Sequence, residues 1–91
     1  MADTVLDNPA RSRFELEVEG HIAFSEYRLA GDTLTFIHTE VPDALAGKGV
    51  GSRLIKGALD QIRQRGLKVK SHCSFVSGWL GKHPEYQDLL A

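Results

Sequence analysis

The residues with the clearest chemical meaning are Glu40-Val41-Pro42 and, shortly after, Gly47-Lys48-Gly49-Val50-Gly51-Ser52. They read as a strand end, a short loop and a glycine-rich turn that opens an amphipathic helix. Backbone N–H groups at such a start have no partner within the helix, and the helix dipole favours negative charge there. A phosphate or pyrophosphate is the natural ligand, because the glycines let a bulky anion approach the amides. Just before the turn stand two titratable residues, His38 and Glu40. A strand of period two puts them on one face with Leu34 and Phe36. Partial burial there raises a carboxylate's pKa, which suits Glu40 to general-base work with His38 as second base or orienting partner.

The single cysteine, Cys73, ends a later strand. A nucleophilic role needs an activating neighbour, and alternation turns the adjacent His72 to the opposite face. Cys73 shares its own face with Val69 and Ser71, which also suits a small buried side chain. His38, His72, Cys73 and His83 match no short ligand spacing, and no metal is expected.

These residues need elements to position them. Phe14, Leu16 and Val18 alternate with Glu15, Glu17 and Glu19, the pattern of a strand with one wet face. After Gly20 a second strand runs from Ile22 to Leu29. Its apolar phase shifts from Ile22/Phe24 to Tyr27/Leu29, which predicts a bulge or late twist. Gly31-Asp32 makes a hairpin turn, and Thr33 to Val41 is a third strand. Val50, Leu54, Ala58 and Ile62, flanked by Ile55 and Leu59, form the apolar stripe of a helix that Gly66 stops. Leu67 to Cys73 is a fourth strand. Phe75 to Gly81 and Pro84 to Leu90 read as short helices. The predicted order is β-β-β-α-β-α-α: antiparallel hairpins, then a parallel β-α-β unit, an α/β fold with a mixed sheet. The glycine turn falls beyond the carboxyl end of the third strand, where such folds bind ligands. Residues 1–12 are expected to be a loose arm before one domain over 13–91.

Composition narrows the classes. The 91 residues suit one domain, with 42% hydrophobic and 25% charged residues. A net charge of −1 gives no electrostatic reason to expect nucleic acid. One cysteine fits a reducing compartment, and no apolar run approaches the ~18 residues of a membrane span. The expectation is a cytoplasmic protein, a monomer or weak homodimer, with no membrane partner.

The turn is not a nucleotide P-loop, since Gly47, Gly49 and Gly51 are not followed by the Gly-Lys-Ser/Thr that places magnesium. Nor is it the dinucleotide fingerprint, whose third glycine would fall on Ser52. Instead, Leu45-Ala46-Gly47-Lys48-Gly49-Val50-Gly51-Ser52-Arg53-Leu54 resembles the pyrophosphate motif of the GNAT superfamily of acetyl-CoA-dependent N-acetyltransferases. That motif is Gln/Arg-x-x-Gly-x-Gly/Ala, carried here by Gly49 and Gly51. With His38-Thr39-Glu40-Val41-Pro42, Cys73-Ser74-Phe75-Val76 and His83-Pro84-Glu85-Tyr86, the chain is similar to the minimal, YjdJ-type branch over roughly residues 13 to 90. Ala46 stands where the motif has Gln or Arg, which removes a side-chain contact but leaves the amides.

The resemblance implies a reduced GNAT fold whose third and fourth strands splay apart around the pantetheine of acetyl-CoA. Thr39 to Val41 would supply one edge, and Cys73-Ser74 the opposite wall. Gly47, Lys48, Gly49, Val50, Gly51 and Ser52 would cradle the pyrophosphate, with Lys82 and His83 as further phosphate contacts. It implies transfer of an acetyl group to an amine, a small one or a protein lysine, by direct attack in a ternary complex. A lysine amine is only about 0.04% neutral at pH 7, a penalty of roughly 4.6 kcal/mol that a base must offset. Glu40 and His38 are the base candidates, Tyr86 a candidate proton donor to the departing thiolate, and Cys73 a possible carrier of the acetyl group. Two other readings stand beside this one: a non-catalytic acyl-CoA-binding or sensing module, and a protein-interaction domain whose glycine turn is structural.

Overall fold

The computed structural model describes residues 4–91. Its strands are β1 (Leu6–Asn8), β2 (Arg13–Val18), β3 (His21–Ala30), β4 (Thr33–Glu40) and β5 (Lys68–Ser71), with helices α1 (Val50–Gln64) and α2 (Ser74–Lys82). Single-turn 3₁₀ pieces at Pro9–Arg11 and Asp43–Leu45, and a longer one at Pro84–Leu89, complete the chain. The sheet order is β1-β2-β3-β4-β5, antiparallel up to β4 and parallel between β4 and β5. The mixed sheet and its β4-α1-β5 unit are those the patterning predicts.

Alternation sorts the sheet into a packed face and a wet one. Phe14 and Leu16 of β2, Ala23, Ser25 and Tyr27 of β3, and Leu34 and Phe36 of β4 are all buried. The predicted stripe of α1, from Val50 through Ile62, is fully buried in the same core, joined by Val76, Trp79 and Leu80 of α2. Helix α1 ends where Gly66 takes a φ of 71°. Gly66 N–H reaches Arg63 O and Leu67 N–H reaches Ile62 O, both at 3.1 Å. This double closure satisfies carbonyls that the helix end would leave without partners.

The predicted strand bulge exists but lies on a different strand. The β3–β4 register slips between Glu26 and Tyr27: Glu26 pairs with His38 and Tyr27 with Phe36, so Ile37 of β4 is the extra residue. The packed face of β3 alternates without interruption as Ala23, Ser25, Tyr27. Those small inward residues, against Ile22 and Phe24 on the other face, make the sequence look as though β3 itself changes phase. The last segment is also corrected. Pro84–Leu89 winds as 3₁₀, with Tyr86 N–H on His83 O and Leu90 N–H on Gln87 O, because six residues starting at a proline are too few to propagate an α-helix.

The N-terminal arm needs the largest correction. Residues 1–3 lie outside the described residues, but Leu6–Asn8 pairs with Arg13–Glu15 as an edge strand. Gln61 Nε2 donates to Val5 O at 2.6 Å, and Val5 packs so tightly over Gly57 that a Cβ there would meet its Cγ2 at 2.4 Å. Tyr27 Oη donates to Asp7 Oδ1 at 2.6 Å, and the other oxygen of Asp7 pairs with Arg65 at 2.8 Å. Sparse apolar residues hide this anchoring, which rests on one valine and polar contacts.

Burial and the Asp7 carboxylate push the Tyr27 phenol up from 10.0 to about 12. The neutral phenol is thus favoured in the fold. Its contribution to stability is full below about pH 10 and is lost as pH rises through about 12. Ultraviolet titration should show Tyr27 ionising near pH 12, with unfolding stability falling over that interval. Asp7→Ala should bring the transition back toward 10 and cost about 1–3 kcal/mol in urea unfolding, since a buried hydroxyl loses its acceptor.

Candidate functional site

The ladder between β4 and β5 runs from Thr33 opposite Lys68 to Phe36 opposite Ser71, extended by one bond from His72 N–H to Phe36 O at 2.9 Å. Beyond that point β4 continues through Ile37–Glu40 on β3 alone. On the other side the chain turns away into α2, whose N-cap is Cys73. The two parallel strands therefore part into a V. Its walls are Ile37–Val41 on one side and His72–Ser74 on the other.

The Ile37 bulge decides which side chains face into this V. One extra residue inverts the alternation, so odd-numbered positions after Ile37 point to the face that even-numbered ones occupied before it. Thr39 accordingly lies on the packed face with Ser25, and their hydroxyls are 2.8 Å apart. Cys73 Sγ donates to Thr39 Oγ1 at 3.4 Å across the V. The buried Cys73 also takes a backbone bond from its own N–H to Ser71 Oγ, 3.3 Å. Ser25, Thr39 and Cys73 form a chain of hydroxyl, hydroxyl and thiol joining β3, β4 and α2.

The same inversion sends His38 and Glu40 to the wet face, not to the face of Leu34 and Phe36 as simple alternation predicts. There His38 Nε2 meets Glu40 Oε2 at 2.9 Å, both side chains more than half exposed. Phe24 stands beside them, its ring edge-on to His38. The two candidate bases are together, and Cys73 lies on the opposite face of the sheet.

The glycine turn follows the pattern read from the sequence. Gly47 and Gly49 have φ values of 76° and 69°, the left-handed region that other residues enter only with strain. Gly49 is the N-cap of α1, and no side chain caps the helix. The first intrahelical bond is Arg53 N–H to Gly49 O at 3.1 Å, so the amides of Val50, Gly51 and Ser52 precede it. A cavity of about 370 Å³ lies over them, lined by Val41, Leu45, Ala46, Gly47, Gly51 and Phe75 among others. A second, of about 450 Å³, is lined by Ser52, Ser74, Phe75, Gly78, Trp79, Lys82 and His83. Lys48 is committed elsewhere: its Nζ lies 2.7 and 2.9 Å from the Glu19 carboxylate oxygens. That hydrogen bond and charge hold Glu19 below the usual carboxylate range.

Beyond the V, Trp79 Nε1 donates to Ser52 Oγ at 2.7 Å, bolting α2 to the first turn of α1. Its ring stacks on His83, with centroids 3.7 Å apart, while His83 Nδ1 bonds Trp79 O at 2.8 Å. Tyr86 is not brought to the V. Its hydroxyl donates to Asp60 Oδ1 at 2.6 Å, two turns along α1 from Ser52, about 12 Å by helix rise. Burial and the Asp60 bond raise its pKa.

A model of the GCN5-related N-acetyltransferase family matches residues 13–89. The chain belongs to that family. It resembles Protein NATD1 of Xenopus tropicalis, 35% identical over 52 residues, which is 57% of this chain and 48% of that protein. The human Protein NATD1 is 38% identical over 47 residues, 52% of this chain and 42% of that protein. The matches thus span just under half the length of these relatives. That of Danio rerio extends further, 28% identical over 86 residues, 88% of this chain and 77% of its own. The solution structure of a GCN5-like protein from Staphylococcus aureus superposes with a TM-score of 0.74 and 29% identity, covering all of this chain and 91% of that one.

Within this family fold, Thr39, Val41, Gly47, Gly49, Val50, Gly51, Ser52, Cys73 and Ser74 gather around the V and its turn. Lys82 and His83 line the adjoining cavity, His38 and Glu40 lie across the sheet, and Tyr86 stands apart. Sequence reading missed Ser25, a polar residue at an inward strand position, and Phe75, directly after Cys73-Ser74. The Ser25 side chain is fully buried, so its hydroxyl depends on Thr39. Thr39→Val should destabilise the fold by about 1–3 kcal/mol in urea unfolding, the cost of an orphaned buried hydroxyl. Adding Ser25→Ala should recover part of that loss, because both partners are then apolar.

Proposed function

We propose that the protein is an acetyl-CoA-dependent N-acetyltransferase that acylates a primary amine, a small one or an exposed lysine. The observation that carries this is the parting of β4 from β5 directly beside the uncapped first turn of α1. The turn fits a pyrophosphate. A Cβ on Gly51 would lie 2.7 Å from the tip of the Phe75 ring and 3.3 Å from Val41 Cγ2, so a side chain there would displace that ring, and the neighbouring glycines hold left-handed backbone. The amides of Val50, Gly51 and Ser52 bind the phosphates, and the backbone of Thr39–Val41 receives the pantetheine arm. Lys82 and His83 at the second cavity supply further phosphate contacts. Lys48 contributes once it leaves Glu19, an exposed pair that solvent screens.

Acetyl-CoA bound there supplies an acetyl group activated as a thioester. This chain's residues then handle protons on the two faces of the sheet. At the apex the Cys73 thiol, hydrogen-bonded to Thr39 Oγ1, would be the group able to pass a proton to a leaving thiolate. On the wet face His38 and Glu40 form the base pair toward which an amine sheds its proton. The direct route is the one proposed, and the Thr39 hydroxyl beside Cys73 Sγ, which is no base, supports it over an acetyl-cysteine route. The exposure of His38 and Glu40 and the remoteness of Tyr86 also favour a second reading, an acyl-CoA-binding module without turnover.

CoA, and not ATP, should raise the melting temperature. Thiol release from acetyl-CoA should depend on an amine drawn from a panel of small amines and lysine peptides. Glu40→Gln and Cys73→Ala should each lower kcat by about 10²-fold or more with CoA affinity retained. CoA binding without amine-dependent thiol release selects the module instead, and no CoA binding rejects both.

A further inference from the structure

Phe75 is the aromatic ring among the exposed large apolar side chains of the described residues, 44% exposed where the core aromatics are nearly covered. It is the second residue of α2, two positions past Cys73. Its ring is not a loose surface group. A Cβ built on Gly51 would lie 2.7 Å from its Cζ and 3.3 Å from its Cε2, with Val41 Cγ2 also at 3.3 Å. One spot thus brings together the end of β4, the first turn of α1 and the start of α2. These are the three elements that bound the V and the glycine turn.

The ring also lines both cavities. Phe75 and Ser52 are the residues common to the two linings, so together they make the partition between the glycine turn and the Trp79, Lys82 and His83 side. Ser52 is fixed by its bond from Trp79. The phenyl ring has no polar anchor and turns about χ1 and χ2 on an already formed helix, a motion that partly exposed side chains make in picoseconds to nanoseconds. The movable half of the partition is therefore Phe75.

We infer that Phe75 is the gate of the cofactor groove: its ring closes over Gly51 and must swing out before CoA can lie along the glycine turn and into the V. This rests on the CoA reading above. The gate sets apparent affinity, because only the fraction of molecules with the ring turned out is competent to bind. It also selects its ligand. An isolated phosphate has no arm with which to hold the ring aside, whereas a pantetheine chain would run along Val41, which lines the same cavity as the ring.

The test is calorimetric titration of CoA into the wild-type chain, Phe75→Ala and Phe75→Leu, with the intrinsic fluorescence of Trp79, the sole tryptophan, as a second readout. Phe75→Ala should bind CoA about threefold to tenfold tighter, with the gain in the association rate and Phe75→Leu in between. Urea unfolding of each variant checks the fold, and Phe75→Leu keeps an apolar side chain beside Gly51 if alanine loosens α2. Unchanged or weaker binding by both variants overturns the gate and leaves the CoA reading standing. A wild-type chain that does not bind CoA at millimolar concentration overturns both.

Discussion

One inserted residue governs the site. A β-strand shows its side chains alternately to two faces, and it cannot change phase without a bulge. Ile37 provides it at the point where the β4–β5 ladder stops. Without it Thr39 would share the wet face and His38 the packed one, and Cys73 would meet an imidazole instead of a hydroxyl. The bulge also bends β4, since bulged strands twist more strongly, and that turns the strand end from β5. Parting of the strands and choice of lining side chains therefore have one local cause.

That arrangement has a cost which the polar chain offsets. Turning Thr39 inward beside Ser25 sets a half-buried hydroxyl and a fully buried one in a face made largely of Phe14, Leu16, Leu34 and Phe36. Unpaired, a buried hydroxyl costs about 1–3 kcal/mol; paired with each other and with the Cys73 thiol, the two become a cross-link between β3, β4 and the start of α2. Among the described residues no buried side-chain nitrogen or oxygen lacks a partner. The polar chain thus holds the apex of the V at a fixed width where backbone pairing has ended. A second link, Trp79 to Ser52, does the same at the mouth.

Most of the frame was legible in the sequence because it rests on periodicity. The α1 stripe, the Gly66 stop, the wet face of β2 and the parallel β4-α1-β5 unit all follow from where apolar residues recur. The glycine turn was legible because left-handed backbone at Gly47 and Gly49 demands that residue type. What escaped depends on register between strands. The slip at Ile37 shows only as a shifted apolar phase, which Ala23 and Ser25 made look like a property of β3. The faces of His38 and Glu40 were misread with it. Tyr86 was misplaced for a similar reason: its partner Asp60 is 26 residues away in sequence, and nothing local announces that pairing. The strand at Leu6–Asn8 has too few apolar residues to signal itself and is held by Tyr27, Gln61 and Arg65.

The sheet also divides the molecule into two unlike sides. Both helices lie against one face, where a single core gathers. The other face carries Glu15, Glu17, Glu26 and Glu40, with the Arg13 guanidinium over Phe24 at 4.3 Å. The face with α1 and α2 holds the glycine turn, and the wet face remains open. The division also keeps acidic residues of the wet face away from the amides of Val50–Ser52, which lie with α1 on the packed side. Glu19 reaches the turn through Lys48, which matches its charge. An incoming anion that draws Lys48 away gives up only an exposed ion pair, so the turn can exchange a carboxylate partner for a phosphate at little cost.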